Sequence, residues 1–275
     1  MESGLYVVAT PIGNLGDMVP RAVEILQSAD LIAAEDTRHS APLLRHFNIE
    51  TPMMAYHDHS DSGALARIER CIEGGGSVAL ISDAGTPLIS DPGFRLVRHA
   101  HERGWTVVPV PGASAAVAAL SVAGLPTDRF RFEGFLPAKS GSRRSELEAL
   151  AQETATLVFY EAPHRVLETL RDMRDVLGAD RLAVLARELT KTFETVLRAP
   201  LFELVERVEQ DSNQARGEIV LLVAGTQQVA TEITPEIARM LELLSETLPP
   251  RQAAGLVADA FGLRKKALYD YLISR

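Results

Sequence analysis

Four short segments rich in glycine, proline and acidic residues recur in the first half of the chain, at residues 11–17, 35–38, 83–93 and 111–114. Glycine lets a backbone approach a ligand closely, and proline restricts the conformation of a loop. Each segment follows a short apolar run typical of a buried strand, and open α/β sheets bind ligands beyond the carboxyl ends of their strands. The pattern predicts one binding site assembled from four loops.

Several familiar catalytic motifs are absent. After the first strand there is only Gly13-x-x-Gly16, with no G-x-G-x-x-G, P-loop or G-x-S-x-G anywhere, which argues against Rossmann, P-loop and α/β-hydrolase sites. His57-x-His59 with Asp61 could ligate a metal, but such a pair more often faces solvent or substrate, so we expect no metal. The single cysteine excludes an intramolecular disulfide.

The elements that must position these loops alternate between strand and helix patterns, which indicates α/β architecture with a parallel sheet. In the first half, apolar runs predict strands at residues 5–10, 30–34, 77–82 and 105–110. Beyond Gly124, strands are predicted at residues 130–135, 156–160, 182–187, 195–198 and 217–224. We therefore predict two α/β domains, the second with a more mixed sheet, and a helical tail. The predicted ranges are 1–124, 125–228 and 229–275.

Composition and charge narrow the class of protein. The 275 residues are 46% hydrophobic and 24% charged, as in globular domains, and no apolar run approaches the roughly 20 residues of a membrane span. No basic, apolar leader opens the chain, so we expect a cytoplasmic protein without a membrane partner. The net charge of −9 argues mildly against nucleic acid, although basic residues cluster locally.

Six segments in a fixed order carry a family resemblance. They are TPIGNLGD (10–17), AEDTR (34–38), SDAGTPLISDPG (82–93), VPGASA (110–115), FYEAPHR (159–165) and ARELTK (186–191). Together they resemble the tetrapyrrole methylase superfamily, a non-Rossmann class of S-adenosylmethionine-dependent methyltransferases. Within it, the chain is most similar to enzymes that 2′-O-methylate a cytidine ribose in the decoding region of small-subunit (16S) ribosomal RNA.

That resemblance implies a homodimer with S-adenosyl-L-methionine bound in a cleft between two α/β domains. It implies a substrate that is either small-subunit ribosomal RNA or the assembled small ribosomal subunit. Where many superfamily members have Gly-Asp-Pro, this chain has Gly85-Thr86-Pro87, which leaves open whether Thr86 or Asp83 meets the cofactor. The cofactor-binding residues that the resemblance implies are Pro11, Gly13, Asp83, Gly85, Thr86, Ile89, Gly112, Ala113, Ser114, Tyr160, Ala186 and Arg187.

The chemistry of that reaction suggests the catalytic residues. Methyl transfer is a direct displacement, so the enzyme must align oxygen, methyl and sulfur. A ribose 2′-hydroxyl is a poor nucleophile and needs a base, or a lysine that stabilises the developing alkoxide. Among the charged residues at predicted strand ends we favour Glu188 with Lys191, alongside Asp36 and Arg38.

The tail resembles a helix-turn-helix pair with Gly262 at the turn. Residues 249–275 hold five basic and two acidic residues, a local charge of +3 in an acidic chain, which favours contact with phosphate. A two-helix dimerisation or docking element is the alternative. The predicted RNA-binding residues are Arg143, Arg144, Arg264, Lys265 and Lys266.

Two other functions remain open from sequence. One keeps the cofactor but transfers the methyl group to a tetrapyrrole or a protein side chain. The other is a non-catalytic nucleic-acid-binding protein that uses the helix-turn-helix alone. The AEDTR and YEAPHR segments and the tail favour the ribosomal RNA acceptor over the first alternative.

Overall fold

The computed structural model describes residues 1–57, 62–226 and 233–274. The chain divides into two compact units, one of residues 1–151 with 155–224 and one of residues 152–154 with 225–275. The first unit holds two five-stranded sheets with helices, and the second holds three helices. This confirms the predicted α/β fold with a helical tail, while the domain boundaries at 124/125 and 228/229 stay predictions. None of the described helices is long and apolar enough to cross a bilayer.

The first sheet is entirely parallel, with strand order β3-β2-β4-β1-β5. Its strands are β1 (Gly4–Val8), β2 (Leu31–Ala34), β3 (Met53–Ala55), β4 (Ser77–Ile81) and β5 (Val107–Val110). The helices of this half are α1 (Pro20–Ser28), α2 (Thr37–His46), α3 (Ser62–Glu73), α4 (Phe94–Glu102) and α5 (Ala115–Ala123). The short β3 was not predicted, because Met-Met-Ala carries no β-branched residue. Since the strands run parallel, their carboxyl ends share one edge, where the four predicted loops lie.

The second sheet is mixed, as predicted, with strand order β6-β7-β10-β8-β9. Its strands are β6 (Phe130–Phe135), β7 (Thr156–Glu161), β8 (Leu182–Arg187), β9 (Thr195–Pro200) and β10 (Ile219–Val223). Only β6 and β7 pair in parallel, and the other neighbours are antiparallel. The helices that follow in this half are α6 (Ser140–Leu150), α7 (Val166–Leu177) and α8 (Leu201–Gln210).

Helix α5 connects the two sheets. It follows β5 of the first sheet. Its buried residues nevertheless pack on β7, β8 and β10 of the second sheet, against Val158, Val184 and Val220. Ala116, Ala119 and Ala123 form much of this contact, and such small side chains let a helix approach a sheet closely. Helices α6, α7 and α8 contribute to the separate hydrophobic core on the opposite face of the second sheet.

The second unit is built from α9 (Pro235–Ser245), α10 (Pro250–Phe261) and α11 (Lys265–Ile273) around its own small core. Helix α10 ends at Gly262 with φ +64°, a left-handed conformation that glycine adopts without steric cost. This confirms the predicted helix–Gly–helix pattern. Arg264, Lys265 and Lys266 begin α11 and are exposed.

One predicted RNA contact is wrong. The Arg143 side chain is only 1% exposed, lies 2.7 Å from the Asp172 carboxylate and donates a further hydrogen bond to the Ala138 carbonyl. A buried guanidinium that is already paired presents no surface to a phosphate, so Arg143 is structural. Arg144 is half-exposed and is shared between Asp172 and Asp175, at 3.2 and 3.4 Å.

Removing the buried carboxylate should destabilise the fold. Asp172→Ala removes the buried partner of the Arg143 guanidinium and leaves only the exposed Glu168 carboxylate, 4.0 Å away, which should lower the free energy of unfolding by about 3–5 kcal/mol in urea titrations. Asp175→Ala is the control, because it removes only half-exposed pairs with Arg144 and Arg174 and should cost less than about 1 kcal/mol. Equal losses in the two variants would contradict this assignment.

Candidate functional site

Hydrogen bonds tie together the loops at the carboxyl edge of the first sheet. Thr10, after β1, and Gly85, after β4, form an isolated antiparallel β-bridge. Each backbone N–H donates to the other residue's carbonyl, with N to O distances of 2.8 and 3.0 Å. The Thr86 hydroxyl donates to the carbonyl of Ala113, after β5, at 2.9 Å. Thr86 therefore uses its side chain to join two loops.

The loop after β4 is held in unusual backbone conformations. Leu88 and Ser90 have φ values of +74° and +66°, in the left-handed region that non-glycine residues rarely adopt. Such strain persists only where surrounding contacts fix the backbone, and it concentrates at functional sites. The strained segment carries Asp91 and Ile89 into the wall of a cavity.

This first cavity has a volume of about 350 Å³, within the usual range for small-molecule sites. It lies between the loops of the first sheet and strands β7, β8 and β10 of the second sheet. Six of the predicted cofactor residues line it: Gly85, Thr86, Ile89, Ser114, Tyr160 and Ala186. Residues of the wall that were not predicted are Ile12, Ala84, Asp91, Ala115, Phe135, Glu161, Ala162, Pro163, Leu189, Gly217, Glu218, Ile219 and Val220.

Tyr160 forms part of the far wall of the first cavity. Burial raises the pKa of its hydroxyl, while hydrogen bonds with the Ala116 N–H and the Ser114 side chain oppose that shift. Its ring contacts Phe132 and Phe135 edge-on, with centroids 4.9 and 5.7 Å away. The hydroxyl thereby links β7 to the start of α5 and fixes the width of the cavity at this point.

The Asp91 carboxyl is the most perturbed acid of the first cavity. Burial, with smaller contributions from the carboxylates of Glu35 and Asp83, raises its pKa to about 6 against the opposing effect of a hydrogen bond with Ser82. Burial likewise raises the pKa of Glu35. This region therefore has an electrostatic preference for positive charge.

A second cavity of about 340 Å³ adjoins the first and shares Ile12, Ala84 and Glu218 with it. Its walls come from the loops after β1 and β4, from helix α2, and from the segments that follow β8 and precede β10. Four predicted residues line it: Pro11, Gly13, Asp83 and Lys191. Residues of this wall that were not predicted are Leu15, His39, Pro42 and Leu43.

Lys191 and Glu188, predicted as a catalytic pair, do meet at this junction. The Lys191 ammonium lies 2.9 Å from a Glu188 oxygen and 3.0 Å from a Glu218 oxygen, and its stem packs over Gly13. The Glu218 N–H donates to Glu188 at 2.9 Å. Gly217, at φ +76°, is required here because any Cβ would collide with the Glu188 carboxyl.

The charges of this cluster reinforce one another. Burial alone would raise the pKa of Glu188 and lower that of Lys191. The Glu218 N–H and the Lys191 ammonium nevertheless hold the Glu188 pKa below its ordinary value, and the two carboxylates hold the Lys191 pKa above its own. Lys191 is therefore a fixed cation at neutral pH.

Asp36 and Arg38, the other predicted pair, lie outside both cavity walls. Asp36 caps α2 by accepting the Arg38 N–H at 2.8 Å, and the two side chains form an ion pair at 2.8 Å. Hydrogen bonds from Arg38 lower the Asp36 pKa to about 2, so Asp36 is a very weak base. The Arg38 side chain is 90% exposed.

Three predicted cofactor residues also lie outside the walls. Gly112 packs on Ala9, where an added Cβ would lie 2.9 Å from the alanine methyl. Ala113 offers its carbonyl to Thr86. The Arg187 side chain turns away to the carbonyls of Phe193 and Arg216, at 3.1 and 3.4 Å.

A metal centre finds no support among the residues that the structure describes, where no group of three or more His, Cys, Asp or Glu side chains could hold an ion. His59 and Asp61 of the H-x-H hypothesis lie outside the described residues.

Comparisons with known proteins agree with this architecture. Residues 4–205 match the family model of tetrapyrrole (corrin/porphyrin) methylases, and residues 231–275 match the RsmI C-terminal HTH domain. Among solved structures, uroporphyrin-III-C-methyltransferase from Thermus thermophilus has a TM-score of 0.57 at 20% identity, covering 81% of this chain and 94% of its own. A putative diphthine synthase from Entamoeba histolytica has a TM-score of 0.60 at 14% identity, with coverages of 82% and 94%.

Closer relatives share nearly the whole chain. A Pseudomonas aeruginosa protein is 58% identical over 100% of this chain and 99% of its own length, and an Escherichia coli O157:H7 protein is 51% identical over 100% and 96%. A Synechocystis protein is 47% identical over 97% and 96%. All three are named ribosomal RNA small subunit methyltransferase I.

The chain therefore belongs to the tetrapyrrole methylase family, a class of methyltransferases whose fold it shares. Within that class it is a member of the ribosomal RNA small subunit methyltransferase I family.

Asp91→Asn should stabilise the folded chain at pH 8 by about 1 kcal/mol, because the amide avoids ionising a half-buried acid whose shift is partly screened by solvent. The folded-state pKa, about 6, lies above the unfolded value of about 4. The stability that Asp91 contributes is thus complete below pH ~4 and is lost as pH rises through about 6, so the advantage of the variant should vanish at pH 4. Urea unfolding at pH 4, 6 and 8 tests this, with the exposed Asp180→Asn as control. A variant less stable than the wild type at pH 8 would contradict it.

Proposed function

We propose that this protein transfers a methyl group from S-adenosyl-L-methionine to the ribose 2′-hydroxyl of a cytidine in the decoding region of small-subunit ribosomal RNA. The observation that carries the proposal is the pair of adjoining cavities with a fixed lysine cation at their junction. A transfer reaction needs two ligands side by side, and the names of the relatives supply the acceptor class. A ribosomal substrate accords with the expected cytoplasmic location.

The residues of the first cavity fit the proposed cofactor. S-adenosylmethionine carries a sulfonium, an ammonium, a carboxylate, a ribose and an adenine. Apolar walls at Ile12, Leu189 and Val220 suit the adenine, and hydroxyls at Ser114 and Tyr160 suit its polar groups. The acidic field around Asp91 suits its positive charge. When bound, the cofactor supplies the electrophilic methyl group.

The second cavity is the proposed acceptor site. An enzyme that modifies one nucleotide of a structured RNA must take that nucleotide out of its stack. The apolar side chains of Ile12, Leu15 and Leu43 can contact a base or ribose. Lys191 lies beside Glu218, which lines both cavities. The exposed Arg38, which precedes the wall residue His39 in sequence, is the proposed contact for a phosphate.

Lys191 acts in this proposal as a cation and not as a base. Its two carboxylate partners keep it protonated and point its ammonium at one place. Such a preorganised charge stabilises negative charge that develops on an attacking oxygen. Glu188 positions Lys191. It accepts hydrogen bonds from the Lys191 ammonium and from the Glu218 N–H, and in this proposal both contacts are structural.

Mapping of 2′-O-methyl marks tests the proposed reaction directly. Small subunits, naked 16S ribosomal RNA, a tetrapyrrole and total protein are each incubated with the protein and methyl-labelled S-adenosylmethionine. We expect one new 2′-O-methylcytidine in the decoding region, and the two RNA arms show which form is the substrate. Label in the tetrapyrrole or protein arm alone, or no label in any arm, would overturn the proposal.

Filling the first cavity should abolish cofactor binding. Ala115→Phe places a ring at the cavity wall from a helical position without backbone strain, and should weaken S-adenosylmethionine binding at least about 100-fold in calorimetry. Val122→Phe is the matched control, since this residue is 52% exposed on the same helix. Both variants are checked for unchanged melting temperature. Normal binding by Ala115→Phe would show that the cofactor lies elsewhere.

Charge reversal in the tail should weaken RNA binding. With Arg264, Lys265 and Lys266 all changed to Glu, each lost phosphate contact should reduce the log–log salt slope of RNA binding by about 0.7–0.9. Arg239→Glu, an exposed change in α9, is the control. Sedimentation of the same variants tests the proposed homodimer. A shift to monomer with an unchanged salt slope would assign the tail to dimerisation in place of RNA contact.

A further inference from the structure

The proposed reaction, on which this inference rests, leaves one proton without an acceptor. Four titratable side chains line the second cavity: His39, Asp83, Lys191 and Glu218. Lys191 is a fixed cation, and Glu218 is 71% exposed and paired with it at 3.0 Å. Asp83 accepts the Asp36 N–H at 3.1 Å, which ties it to the start of α2.

His39 differs from these three groups in having an uncommitted side chain. Within the described residues, no hydrogen bond or ion pair holds its imidazole. His39, Pro42 and Leu43 share one face of α2 at the i, i+3 and i+4 spacing, and this face lines the second cavity together with Lys191. Asp36 caps the helix and thereby fixes the backbone of its first turn, from which the His39 side chain extends.

The charges around His39 suit an imidazole that gains a proton. The half-buried carboxyl of Glu35, four residues before His39, interacts electrostatically with the ring. The other charged groups facing this region are Asp36 and Arg38 on its own helix, Asp83 after β4, and Lys191 with Glu218 from the second sheet. A carboxylate beside a histidine stabilises the imidazolium that forms during catalysis, as in hydrolase triads.

We propose that His39 is the general base that accepts the proton of the ribose 2′-hydroxyl. As the hydroxyl oxygen forms its bond to the methyl carbon, the carbon–sulfur bond breaks and its electron pair stays on sulfur, which becomes a neutral thioether. The proton moves to an imidazole nitrogen and then to water. His39 thus removes the proton, and Lys191, which lines the same cavity, stabilises the oxygen's developing charge.

The test compares His39→Gln with His46→Gln, an exposed histidine on the same helix that lines neither cavity. Single-turnover methylation of the substrate is measured at saturating cofactor across pH 5.5–9, together with cofactor affinity by calorimetry. We expect His39→Gln to lose about 10²–10⁴-fold in rate with cofactor affinity within twofold, while His46→Gln stays at the wild-type rate. The wild-type rate should rise with pH within this range as the base loses its proton, and this rise should disappear in His39→Gln.

Chemical rescue separates a base from a structural residue. His39→Gly should recover activity in proportion to added imidazole, and the recovery should follow the free-base form of imidazole. A His39→Gln rate within threefold of wild type, or a slow variant that keeps the wild-type pH profile and gains nothing from imidazole, would overturn the inference. A wild type that forms no 2′-O-methyl mark would instead overturn the proposed function, and this role for His39 with it.

Discussion

The packing of α5 against the second sheet is the contact on which the rest of the structure depends. The helix leaves β5 of one sheet and buries alanines against Val158, Val184 and Val220 of the other. Because small side chains set a short helix-to-sheet distance, the strand ends of both sheets face one cavity. The Tyr160 hydroxyl, bonded at the start of the same helix, fixes that separation a second time.

Strain and charge then concentrate around the two cavities. The non-glycine residues with left-handed backbone include Leu88 and Ser90 beside the first cavity, and Glu188 and Thr190 beside the second. Each pair lies in a loop held by hydrogen bonds or ion pairs, which supply the energy that the conformation costs. Acidic groups surround the first cavity, whereas a lysine cation stands at the junction with the second. This polarity suits a positively charged donor beside an oxygen that becomes negative.

The second unit, in which residues 249–275 carry a local charge of +3, has a separate physical role in the proposal. Its three helices enclose their own core, so exposed Arg264, Lys265 and Lys266 can change without disturbing the sheets. In a chain of net charge −9, attraction to RNA must come from such local patches. Arg143 illustrates the opposite case, since a basic residue within a cluster proved to be the buried partner of Asp172.

Local pattern determined the two α/β sheets, the mixed second sheet, the helical tail and the loops that form the site, because hydrophobic periodicity and glycine–proline spacing are short-range signals. Tertiary structure alone decided which side chains face a cavity. Arg143 is buried, and the Arg187 side chain points away from the cavities. The Thr86 hydroxyl bonds to the Ala113 carbonyl, while Asp91 and His39 line the first and second cavities. The physical reason is that orientation, burial and pairing depend on partners distant in sequence, such as Ala113 for Thr86 and Glu218 for Lys191, which no local pattern specifies.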